Sequence, residues 1–136
     1  MQCFFYGRIR DENKTSGSTT LTTSAHNGVV SFTIPDLGIV FRAQFKGTPQ
    51  ECEYASLLAL LEFVEINPHL FKNKTVEILG DSFVVVNQVN LQMFCDKKLE
   101  PYRNMALVYK KKIPYSLSWI PQNENPAQAD ASHLGR

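Results

Sequence analysis

Three acidic residues occupy positions where a carboxylate is costly to hold. Glu53 lies five residues after Thr48, Asp130 lies five residues after Asn125, and proline follows each of those polar residues, at Pro49 and Pro126. Thr or Asn followed by Pro marks a helix start, because the side chain accepts a hydrogen bond from the first turn and Pro suits the first helical position. Asp81 closes the apolar run Ile78-Leu79-Gly80, where a strand should end. Carboxylates that converge from separate elements repel one another unless a divalent cation joins them, and oxygen-only ligation suits Mg2+ or Mn2+. Paired ions of that kind serve phosphoryl transfer.

Glu53 makes the strongest individual case. Steps of four, three and four residues lead from it to Leu57, Leu60 and Val64, so it lines up with the apolar face of its helix. Ser56 and Leu57 stand three and four residues on, and neither is a cation that would pair with it. A carboxylate placed there either reaches water at the rim, the plainer alternative, or finds hydrogen bonds, a cation or a metal.

The elements that would carry these acids read clearly from the pattern. "QCFFYG" is apolar throughout, as in a central strand. The Ser- and Thr-rich stretch from Ile9 to Gly28 reads as a long loop. "VVSFTI", the turn "PDLG" and "IVFRAQFKG" form a hairpin, with Val30, Phe32 and Ile34 alternating with polar or exposed partners. Thr48, Pro49 and Glu51 open a helix with a capping box, and Pro68 limits it. "KTVEILGDS" is a short strand, and "FVVVNQVN" a short helix starting near Asp81 or Ser82. "KLEPYRNMALVYKKK" is a further helix, "YSLSWI" a strand, and "NPAQADASHL" a last helix. A meander followed by strand-helix alternation implies an α/β domain with a mixed sheet and helices on both faces. Ligands in such sheets gather at the carboxyl ends of the strands.

At 136 residues the chain suits a single domain spanning 1–136. No apolar run approaches the ~20 residues of a membrane span, and the first ten residues lack the basic start and cleavage site of a signal peptide, which points to an intracellular setting. Cys3, Cys52 and Cys95 are odd in number and widely spaced, so they read as reduced packing residues. A net charge of +1 gives no global attraction to a polyanion, so any nucleic-acid contact must be local. The one basic concentration runs from Lys97 to Lys112. Trp119, in the last strand, reads as a core residue more readily than as a stacking platform.

From Gly47 to Leu134 the sequence resembles the ribonuclease H family. "TPQECEYASLLALLE" is similar to that family's Thr-Asn-Asn-x-x-Glu-Tyr helix, "ILGDSFVVVNQV" to its Asp-Ser segment, and "SWIPQNENPAQADASHL" to its closing Asn-x-x-Ala-Asp-x-Leu. The resemblance implies a five-stranded sheet of order 3-2-1-4-5 with strand 2 antiparallel. It also implies that Glu53, Asp81 and Asp130 bind Mg2+ or Mn2+ and catalyse hydrolysis of the RNA strand of an RNA–DNA hybrid. Thr48 matches the family's contact to a DNA phosphate, Gln50 falls where the family reads the minor groove, and Lys97 and Lys98 fall in its hybrid-binding region.

The resemblance breaks at the first strand. The family carries a further acid there, in a Phe-Asp-Gly-Ser context, and the matching residues are Phe5-Tyr6-Gly7-Arg8. A neutral phenol offers one oxygen and no charge, so it cannot bridge two ions as a carboxylate does. Asp11 is the nearest acid, five residues further on in a polar stretch. Two function classes follow: a divergent hydrolase of RNA–DNA hybrids, or an inactive module that binds hybrid or other nucleic acid, or a protein partner, within a larger protein.

Overall fold

The computed structural model describes residues 1–10 and 26–128; Asp11 and Asp130 lie outside the described residues. Strands β1 (Gln2–Ile9), β2 (His26–Ile34) and β3 (Ile39–Gly47) are followed by helix α1 (Pro49–Ile66), β4 (Val76–Gly80), α2 (Phe83–Val89), α3 (Glu100–Lys112) and β5 (Tyr115–Trp119). Residues 126–128 are again helical, the described part of the expected last helix.

The sheet order is β3-β2-β1-β4-β5, as the resemblance implied. β2 runs antiparallel to β1 and β3, while β1, β4 and β5 run parallel. The β2–β3 reversal works because Gly38 adopts φ 64°, a left-handed conformation that glycine enters without steric cost, and its N–H closes on the Pro35 carbonyl at 3.0 Å. The expected alternation along β2 is absent. Ser31 and Thr33 are as buried as Val30 and Phe32, because this strand lies inside the sheet and is covered on both faces. Their hydroxyls are satisfied locally: Ser31 Oγ donates to the Ala127 carbonyl at 3.0 Å and Thr33 Oγ1 to the Ile39 carbonyl at 2.9 Å.

α1 forms as its first residues dictate. Glu51 N donates to Thr48 Oγ1 at 3.2 Å, and Thr48 N donates to Glu51 Oε1 at 2.9 Å, completing the capping box. The helix buries Leu57, Leu60, Leu61 and Val64 in one cluster with Cys3, Phe5, Phe32 and Ile34 from the sheet. Each fully buried side chain of this kind contributes roughly 1.5–3 kcal/mol. α2 is helical despite its four valines, because Ser82 Oγ caps Val85 N at 3.1 Å and the helical spacing carries Val85, Val86 and Val89 into the same core. The three cysteines are free and buried, the role expected for them. Among the described residues no helix is long and apolar enough to cross a membrane.

Candidate functional site

β4 ends at Gly80 beside Phe5, while β1 continues from Tyr6 to Ile9 in pairing with β2. Phe5 stands opposite Gly80 in the parallel ladder, so the residues that follow them, Tyr6 within β1 and Asp81 just past β4, come to the same level at the carboxyl end of β4. Gly7 then governs how closely α1 approaches. A Cβ on Gly7 would sit 2.5 Å from the Cys52 carbonyl oxygen and 2.8 Å from the Glu53 nitrogen, so only glycine lets the first turns of α1 rest on β1. That close approach brings Glu53 to the strand ends. The helix register supplies the aim, and Gly7 supplies the distance.

Glu53, Asp81 and Tyr6 line one cleft of about 330 Å³, together with Gly7 to Ile9, Pro49 and Gln122. Ser82 Oγ donates to Glu53 Oε1 at 2.7 Å, so the residue that caps α2 also holds the carboxylate. Burial pushes Glu53 above the ordinary carboxylate range; the Ser82 hydrogen bond works against that rise and the Asp81 charge adds to it. Asp81 is also raised by burial, with its own backbone N–H and the Asn125 amide opposing the rise. The Asn125 Nδ2 to Asp81 Oδ1 separation is long, at 3.5 Å, whereas the same amide donates firmly to the Phe5 carbonyl at 2.9 Å. Asn125 Oδ1 meanwhile accepts from Ala127 N at 3.0 Å, the capping role expected of it.

Tyr6 points to the face of β1 opposite Gly7, where it packs with Val29, Ala127 and Phe4. It is 7% exposed. Its hydroxyl accepts a long hydrogen bond from Gln122 Nε2, at 3.3 Å. Burial first, then the charge of Asp81, raises the phenol above its ordinary value, with Glu53 acting in the same direction and Arg8 against it. The ring is therefore neutral at any physiological pH and stands within the field of both carboxylates.

Thr48 commits its hydroxyl oxygen to the helix cap and is not part of the cleft lining, which begins at its neighbour Pro49. Gln50 is exposed at the first turn of α1, and Lys97 and Lys98 are exposed ahead of α3, outside the cleft lining. Asp130 lies outside the described residues. Three participants escaped the sequence reading. Gln122 stands in a segment without periodicity, Arg8 follows the apolar run of β1, and the bond from Ser82 to Glu53 joins residues 29 apart. Trp119 is a correction, being 46% exposed and not a core residue.

By sequence, no protein-family model and no curated protein matches the chain. Its structure is similar to that of LC11 ribonuclease H1, isolated from compost, in complex with an RNA/DNA hybrid, at a TM-score of 0.72 and 16% identity over 98% of this chain and 91% of that one. Ribonuclease H1 from the archaeon Halobacterium salinarum superposes at 0.65 with 21% identity over 96% and 98% of the two chains. The N-terminal ribonuclease H domain of rv2228c from Mycobacterium tuberculosis superposes at 0.63 with 15% identity over 98% and 95%. The chain has a ribonuclease H-like fold. In this ribonuclease H-like domain the described donors alone do not make up a two-ion centre, Asp11 and Asp130 lying outside the described residues. Among the described residues no group of three or more His, Cys, Asp or Glu side chains is placed to hold a metal ion. Glu53 and Asp81 supply carboxylates, and at the level of Asp81 β1 supplies a neutral phenol that cannot bridge.

Proposed function

We propose that this ribonuclease H-like domain binds nucleic acid across the face that carries the cleft, with an RNA–DNA hybrid as the ligand to try first, and that it does so without two-metal hydrolysis. The observation that carries this reading is Tyr6, which is buried, neutral and hydrogen-bonded at the strand position beside Asp81. The solved complex of LC11 ribonuclease H1 with a hybrid supports the choice of ligand. Thr48 and Gln50 at the start of α1, and the exposed Lys97 and Lys98, are the proposed contacts to the backbone. Such contacts release counterions, so affinity should fall with salt at a slope matching a few phosphates.

The test is fluorescence anisotropy of a labelled hybrid over a salt series, with cleavage followed on the same sample in Mg2+ and in Mn2+. Salt-sensitive binding without cleavage supports the proposal. Cleavage that disappears in Asp81→Asn would establish a second reading, a divergent metal-dependent hydrolase with Glu53, Asp81 and Asp130 as its ligands. That alternative is favoured by Glu53, a half-buried carboxylate that the fold retains beside Asp81 at a cost in stability. Absence of any nucleic-acid binding would leave a scaffold role toward a protein partner.

A further inference from the structure

An aromatic pair stands exposed beside the acids. Phe83, at the first turn of α2, and Trp119, at the end of β5, are 57% and 46% exposed, and their rings meet edge to face with centroids 6.3 Å apart. The two rings in contact form a small continuous apolar patch beside a polar cleft, the kind of surface that binding sites use. Their placement is specific. Trp119 stands opposite Gly80 in the β4–β5 ladder, and its indole N–H donates to the Asp81 carbonyl at 3.2 Å. The ring is thus anchored by the backbone of a cleft residue, and its single polar atom is already satisfied, which leaves apolar ring surface to solvent.

Resting on the nucleic-acid reading above, we propose that Phe83 and Trp119 form a stacking platform for an unpaired nucleobase, so that the domain prefers a nucleic acid with a single-stranded segment over an uninterrupted duplex. A continuous hybrid presents its backbone and base edges, while the faces of its bases are occupied by their neighbours. A platform of exposed rings gains contact only with a base that has left the stack, and every base has a π-face to offer it. Continuity with the cleft favours this occupant over an apolar peptide: the anchor of the platform is the backbone of Asp81, whose side chain lines the groove that would receive the strand.

Trp119 is the only tryptophan in the chain, so its fluorescence reports the platform directly. The probes are a blunt RNA–DNA hybrid and the same hybrid extended by a short 3′ single strand. The expected result is quenching of the indole by the extended probe, an affinity advantage of about tenfold over the blunt one, and loss of that advantage in Phe83→Ala, which keeps the reporter. Trp119→Leu, followed by anisotropy, should abolish the same advantage. Equal affinity of the two probes with unchanged fluorescence would overturn the platform and leave hybrid binding intact. Failure of both probes to bind would overturn the platform together with the reading it rests on.

Discussion

Replacing Tyr6 by Asp places a carboxylate at the position where the phenol stands. The ring is 7% exposed and packs on Val29 and Ala127, both fully buried. Removing a buried aromatic side chain costs about 3–5 kcal/mol when a closed cavity is left. Here the ring borders an open cleft of about 330 Å³ that water can refill, so the loss should lie near the low end, roughly 3 kcal/mol. The hydrogen bond from Gln122, at 3.3 Å, adds little. The new carboxylate also meets the Glu53 and Asp81 charges, which lowers stability further at neutral pH. For a domain of this length ~3 kcal/mol corresponds to a fall in Tm of about 10 °C. Divalent ions should then reverse the loss. At a concentration 100 times its Kd, Mg2+ stabilises a folded-state site by about 2.7 kcal/mol, which would recover most of the fall. The assay is thermal unfolding of wild type and Tyr6→Asp in EDTA and over a Mg2+ series. Wild type should be nearly indifferent to Mg2+ and the variant strongly dependent on it. A wild-type Tm that rises with Mg2+ as steeply as the variant's would refute the claim that Tyr6 prevents a two-ion centre.

Ser82→Ala removes both the Val85 cap and the bond to Glu53, so urea unfolding should show a loss of about 2–3 kcal/mol; carboxyl NMR should also show Glu53 titrating higher than in wild type, since that bond is what lowers it. Both Glu53 and Asp81 titrate above their ordinary values, so between the unfolded and folded pKa the folded state holds more protons and stability falls as pH rises through that window. The double variant Glu53→Gln with Asp81→Asn should flatten this slope in Tm measured from acid to neutral pH, and a slope unchanged by it would show that other groups set the dependence. Gly7→Ala places a methyl group against the α1 backbone, which cannot yield as a side chain would, and should cost about 3 kcal/mol or more by chemical denaturation.

Local signals explain which parts of this structure the sequence made legible. The Thr48 capping box, the hairpin turn at Gly38 and the periodicity of α1 involve residues within a few positions of one another, so pattern alone locates them. Glu53 was visible as a break in that periodicity. β2 was misread because its polar residues follow the alternation of an exposed strand, while Ser31 is buried through a partner 96 residues away. Trp119 was misread for a related reason: a large apolar ring at a strand end is placed by composition in the core, and its exposure depends on what α2 and the Asp81 carbonyl offer across the ladder. Gln122 and Ser82 join the cleft only through contacts that no single stretch of chain encodes.

Asn125 also bears on the order in which the molecule assembles. Its amide closes on the carbonyl of Phe5, 120 residues away, and reaches toward Asp81. During synthesis the first strand must wait, with that carbonyl uncovered, until nearly the whole described chain has left the ribosome. Closures of such long sequence separation come late and slowly. The groove is thus among the last features to appear, and a nascent chain that has already built α1 and its core still lacks a finished surface with which to engage anything.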